Sequence, residues 1–179
     1  MAMHNNLYNK HRILVATSTF PRHSNDTDPP FVYELCIRLR DRYSVTVLAP
    51  HARNLRTFER FKGLPVYRFR YFPQAGEVLA YGGGILNRLR NSPIAWCIVP
   101  FFLLGEACAT LRLLSLKKYS IINAHWIIPQ GLSTLLARAA LRSRTPFICT
   151  VHGGDIFALR DPFSPFIKRC VFRSCDAIV

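Results

Sequence analysis

ILVATSTFPRHSNDTDPPFVYELCIRLRDRYSVTVLA, residues 13–49, decides the fold class. It opens on a short apolar run, residues 13–18, with a basic flank before it and a proline soon after. Such a run reads as a strand buried on both faces. A polar loop over residues 19–30 closes on Asp28-Pro29-Pro30. A carboxylate just before proline is a helix-start signal, with Asp28 as N-cap and proline at the first helical position. The helix that follows gathers Phe31, Val32, Leu35, Cys36 and Leu39 on one face, with Arg38, Arg40 and Arg42 elsewhere. Residues 45–49 (VTVLA) form a second strand. Strand, helix and strand make a βαβ unit, for which a right-handed crossover is the rule.

The alternation continues outward. Residues 64–71 set Val66, Phe69 and Tyr71 among Arg68 and Arg70, a third strand. Tyr81-Gly82-Gly83-Gly84 reads as a flexible turn, and residues 92–116 as a helix broken near Pro100. Strands over 120–124 and 147–151 bracket a helix over 132–141. A helix over 165–174 leads into residues 176–179, the start of a sixth strand. This order predicts an α/β fold with a doubly wound, mainly parallel sheet flanked by helices. The expected organisation is a flexible or disordered tail, residues 1–11, and one domain over 12–179 that is cut in its last strand.

Half of the 179 residues are hydrophobic and 12% are aromatic, which excludes intrinsic disorder. Lys and Arg number 24 against 10 Asp and Glu, a formal charge of +14 that favours an anionic partner. The cations are densest from Arg53 to Arg90. No nucleic-acid-binding signature accompanies them and the aromatics lie in core runs, so nucleic acid is not the expected partner. The six cysteines have no C-x-x-C spacing and read as small core residues of a reduced, cytoplasmic protein. Residues 94–104 (IAWCIVPFFLL) fall short of the ~20 that a membrane span needs. They suit a buried or membrane-surface helix instead.

In doubly wound sheets, ligands sit outside the carboxyl ends of the strands. Three loops therefore hold the candidate site. After the first strand come Thr19, Phe20 and Pro21, then Asp26 and Asp28; after the fourth, His125, Trp126, Gln130 and Gly131; after the fifth, His152, Gly153, Gly154 and Asp155. Their hydrogen-bonding groups, glycines and aromatic ring suit a sugar-like or phosphate-bearing ligand. Two glycines after His152 let backbone approach a ligand closely, which favours a catalytic role for that histidine over one that only satisfies backbone. Asp155 has two open readings, a catalytic group and a cap of the turn. His125 and Trp126 suit either ligand contact or core packing. The glycine run at Tyr81, Gly82 and Gly83 lacks the spacing and following lysine of a P-loop, and no G-x-G-x-x-G follows the first strand.

Taken together, TSTFPRHSNDTDPPFVYEL, AYGGGI, NAHWIIPQG and VHGGDIF, in this order and spacing, resemble the N-terminal domain of family 4 glycosyltransferases. The resemblance covers Arg12 to Val179 and implies the N-terminal, Rossmann-like half of a GT-B fold. It implies a retaining enzyme that moves a sugar from a nucleotide-sugar to a glycan or lipid-linked acceptor, in cell-envelope polysaccharide biosynthesis. The donor would be held mainly by a C-terminal domain that these residues do not include, so this half alone is expected to be inactive. His152 would lie beside the donor sugar. No metal and no cofactor are implied, the nucleotide-sugar being a co-substrate. Peripheral contact with an anionic membrane, at its cytoplasmic face, fits the basic stretch and the apolar helix. Where relatives often carry a Gly-Gly pair after the first strand, this loop has none. The competing reading is a non-catalytic acceptor-binding half, or a truncated gene product that needs a separate donor domain.

Overall fold

Alternate residues of the first strand feed different cores. In the computed structural model, which describes residues 10–26, 28–157 and 164–179, β1 runs from Arg12 to Ala16. Leu14 packs with Leu48, Phe69 and Ile122, while Ile13 and Val15 pack with Val32, Val45 and Val47. A strand covered on both sides needs apolar residues at consecutive positions, which is why ILVA carries no alternation.

The sheet has seven strands: β1, β2 (Ser44–Pro50), β3 (Phe58–Phe61), β4 (Leu64–Phe69), β5 (Ile121–His125), β6 (Phe147–Thr150) and β7 (Ala177–Ile178). Their spatial order is β3-β4-β2-β1-β5-β6-β7, with every pairing parallel except β3 against β4. Without β3 this is the doubly wound Rossmann order, whose direction reverses between β1 and β5. β3 is a correction: the sequence reading left residues 58–61 unassigned. Its run FERF is short and half charged, a pattern tolerated at an exposed sheet edge.

The helices are α1 (Phe31–Arg40), α2 (Gly84–Asn91), α3 (Val99–Leu116), α4 (Leu132–Leu141), α5 (Gly154–Phe157) and α6 (Ser164–Ser174). Asp28 does not cap α1: Pro30 holds the cap position and no side chain bonds there. Two prolines in succession place the helix start one residue past both rings. The glycine run is not a loose turn. Gly82, Gly83 and Gly84 take φ of 74°, 97° and 83°, values that favour glycine, and lead straight into α2. The expected break near Pro100 is present, between a 3₁₀ turn, Pro93–Ile98, and α3, where Pro100 occupies the first turn and loses no bond.

α3 lies along α4 and against β4. A Cβ at Gly105 would come within 2.6 Å of the Arg70 carbonyl oxygen, so only glycine allows this approach. One face of α3 buries Phe102, Glu106, Ala107, Thr110 and Leu113. The other leaves Phe101 51% and Leu104 62% exposed, beside Ile94 at 75%. The stretch 93–116 is long and apolar enough to cross a membrane by length and composition, but its inner face belongs to the core. Cys97 and Cys108 correct the view of the cysteines as core residues, since both are exposed on this outer face, whereas Cys36 and Cys149 are buried. Arg68, counted above with the basic stretch, is also buried. Of the expected tail, residues 1–9 lie outside the described residues; Lys10 Nζ donates to the Arg40 and Asp41 carbonyls, and His11 meets Ser120 Oγ.

Candidate active site

The direction of the sheet reverses between β1 and β5, and the loops after β1, β5 and β6 meet there. β5 ends on His125, and the next residue, Trp126, holds φ 76° and ψ 141°. Bulky residues rarely take that conformation, which costs roughly 1–3 kcal/mol. It is held by Trp126 N–H donating to the Thr150 carbonyl and by Gly131 N–H donating to the Trp126 carbonyl.

Asp155 secures the loop from the other side. Its carboxylate accepts the backbone N–H of Ile127 at 2.8 Å and of His152 at 3.1 Å, tying the β5 loop to the β6 loop. Asp155 is buried and both of its oxygens are engaged. The two bonds show the capping contact of Asp155.

This brace sets two imidazoles face to face. The His125 and His152 rings stack 15° from parallel with centroids 5.2 Å apart, and His125 Nδ1 lies 3.0 Å from His152 Nε2. His125 Nε2 lies 3.4 Å from Asn123 Nδ2, and Asn123 Oδ1 in turn accepts from Thr150 Oγ1. Burial, and secondarily the neighbouring His152, lower the pKa of His125 to about 3. Burial also lowers that of His152, against a smaller opposing pull from Asp155. Both rings are therefore neutral at pH 7, and one donates to the other. Nδ1 of His152 has no hydrogen-bond partner among the described residues. The His152 ring is bordered by Trp126 at 4.5 Å and Phe31 at 4.9 Å between centroids.

Not every candidate faces this cleft. Thr19, Asp28, Gly83, Trp126 and Asp155 line a shared cavity with Phe31. Phe20 does not: it is 0% exposed and packs edge-on against Tyr33 and Phe61. Pro21 is buried and offers its carbonyl to Arg68 Nη2. Tyr81 is buried too, its hydroxyl donating to the Pro50 carbonyl and accepting from Arg68 Nη1. Gln130 is fully buried. A Cβ at Gly131 would meet Val171 of α6 at 2.8 Å, so this glycine serves packing. Gly82, Gly153 and Gly154 are at or near the surface, and Gly153 takes a φ of 62° that lets the chain turn after His152.

Asp26 is not a free charge either. Its carboxylate accepts Nε and Nη2 of Arg22, at 2.8 and 2.7 Å, and the Arg22 backbone N–H. The Arg22 guanidinium holds the Asp26 carboxyl far below its ordinary range. Arg22 also lies 4.8 Å over the Tyr81 ring and 3.6 Å from Asp28. Arg22 and Arg68 thus lock the β1 loop; the sequence places Arg22 in that loop and Arg68 in the basic stretch without marking either role. The i,i+4 spacing of Arg22 and Asp26 was the available signal; nothing local marked Arg68. Sequence reasoning also overlooked Phe31, placed on the buried face of α1, and Asn123, whose signal was its place two residues before His125 on one face of β5. Among the described residues, no group of three or more His, Cys, Asp or Glu side chains could hold a metal.

A family model described as a glycosyl transferase 4-like domain matches residues 30–179, which include α1, the glycine turn and both histidines. No curated protein matches the chain. With the match running over most of its length, the chain belongs to the glycosyl transferase 4-like family.

Proposed function

We propose that the chain is the acceptor-side half of a retaining transferase, which moves a sugar from a nucleotide-sugar to a glycan or lipid-linked acceptor of the cell envelope. The observation that carries this reading is the neutral His125–His152 pair at the switch point of the sheet. A neutral imidazole with one free nitrogen can donate to or accept from a sugar hydroxyl. A charged one would oppose the positive charge that develops on a sugar ring as the diphosphate leaves. Burial keeps His125 neutral, and its contact with Nε2 orients His152 so that Nδ1 is left for the ligand. Trp126 and Phe31 border the same ring and offer apolar faces to a pyranose. His152 is the residue assigned to sugar contact; Asp155 positions it.

In this reading the nucleotide-sugar is a co-substrate, no cofactor takes part, and a second, donor-binding half supplies the contacts to the diphosphate. The protein works at the cytoplasmic face of an anionic membrane. Support for that location comes from the exposed apolar strip of Ile94, Phe101 and Leu104 next to Arg88 and Arg90.

The test is release of nucleoside diphosphate from UDP- and GDP-sugars by the protein joined to a donor-binding half, with membrane extract as acceptor source. His152→Ala lowers turnover at least tenfold and leaves the thermal midpoint in place. Absence of any sugar-nucleotide turnover, with donor and acceptor both bound, would leave the acceptor-binding module as the surviving reading.

A further inference from the structure

A cavity of about 380 Å³ is lined by Trp126 and Phe31, the two rings that border His152, though neither histidine lines it. Its volume lies at the lower end of ligand sites, about 300–1,000 Å³. Its two sides differ in chemistry. Thr19, Asp28 and Asp155 line it from the sheet-edge loops, while Leu86 and Leu89 of α2 and Val99 and Phe102 of α3 line it from the helices. Trp96 lines it as well and is 52% exposed, so it stands at the mouth, with Ile94 exposed just before it.

We propose that this cavity holds the aliphatic chain of a glycolipid-type acceptor, its hydroxylated head toward Asp28 and Thr19 and its chain leaving past Trp96. A second sugar on the helix side would place hydroxyls against carbon with nothing to bond, which is unfavourable. An aliphatic chain has no such requirement. On the loop side, Asp155 is engaged with two backbone N–H groups, whereas among the described residues Asp28 is opposed by Arg22 alone, at 3.6 Å. A carboxylate there accepts from hydroxyls and repels phosphate, so the head nearest it is neutral. The exit past Trp96 and Ile94 delivers the chain to the apolar strip on α3. The word acceptor rests on the transfer reading above; the binding does not.

The chain contains two tryptophans, Trp96 and Trp126, and both line the cavity. Their fluorescence therefore reports on its occupancy. n-Alkyl β-glucosides from butyl to dodecyl, kept below micelle formation, are titrated into the protein. Affinity rises about fourfold per added carbon, from ~0.8 kcal/mol per buried methylene, and levels off once the cavity is full. Leu86→Phe on α2 and Val99→Phe on α3 each fill part of the space. Each moves the levelling-off to a chain shorter by at least two carbons, with the thermal midpoint unchanged. The two variants sit on different helices, so a folding defect in one leaves the other to decide. Affinity that ignores chain length, or climbs without levelling in both variants and parent, overturns the site. Levelling without sugar transfer under any condition supports the site and removes the transfer reading. Transfer to a water-soluble glycan with no response to alkyl length removes the site and leaves the transfer reading.

Discussion

His125 Nδ1 and His152 Nε2 lie 3.0 Å apart in a stacked pair, the first ring buried and the second half-buried beside Trp126 and Phe31. A single proton lies between the two nitrogens, and the bond is lost only when both of them carry one. Asn123 faces His125 from its own strand, and Asp155 near His152 is, among the described residues, the one carboxylate acting on either ring.

The pair makes stability depend on pH in a definite direction. The unfolded chain binds a proton at a histidine near pH ~6.5, whereas folded His125 does so only at about 3. Between those values the unfolded state holds more protons, so stability falls as pH falls. The contribution is complete above pH ~6.5 and is lost progressively below it. His125→Gln removes the dependence. Denaturant midpoints at pH 7.5 and 5.5 should show the parent losing about 1 kcal/mol more than the variant on acidification. Equal losses would show that His125 takes up its proton at an ordinary pH.

Glu106 works in the opposite sense. It is 0% exposed on the inner face of α3, and burial pushes its pKa up to about 8, partly offset by Ser133 and Gln130. From about pH 4.5 to 8 the folded state keeps a proton that the unfolded state has released, so stability falls as pH rises. Glu106→Gln retains the neutral shape without the penalty. Its expected gain is on the order of 2 kcal/mol at pH 7.5, vanishing near pH 4. Between pH 5 and 6.5 the Glu106 and His125 slopes oppose, so the parent is flatter there than either variant. A Glu106→Gln protein no more stable than the parent at pH 7.5 would contradict this.

The sheet was legible because consecutive apolar residues in β1, β2, β5 and β6 answer to burial on both faces, a local property. β3 was not, since FERF becomes a strand only by pairing with β4. The glycine run signals a turn by its backbone freedom, but α2 after it has few apolar residues to announce a helix. At the site, the loops and their histidines could be located from strand ends alone. What separated His152 from Phe20 or Tyr81 was which way each side chain turned. That depended on distant partners: Phe61 for Phe20, Pro50 and Arg68 for Tyr81.

The outer face of α3 gives a membrane prediction that is separate from catalysis. Phe101→Ser with Leu104→Ser changes exposed side chains on the outer face of α3, so the fold should be kept. The double variant should sediment with anionic phospholipid vesicles at least fivefold less than the parent. Binding of the parent should weaken as salt is raised from 50 to 500 mM, because the basic flank contributes through screened charge. Vesicle binding that ignores both changes would place the contact elsewhere.

Asp155 separates a positioning group from a reacting one. As a brace, it contributes two charge-assisted bonds to the Ile127 and His152 N–H groups. Asp155→Ala leaves both donors without their acceptor and should cost about 2–4 kcal/mol of stability. Asp155→Asn keeps one acceptor oxygen and should recover roughly half of that. Activity should follow the same order, since His152 is displaced only as far as its loop is released. A reacting carboxylate behaves differently: Asn would be as inactive as Ala while nearly as stable as the parent, because the amide can neither give nor take a proton. Measuring thermal midpoint and turnover on both variants decides the role. Stability and turnover falling together assign Asp155 to holding His152 in place, and turnover falling alone assigns it to the reaction itself.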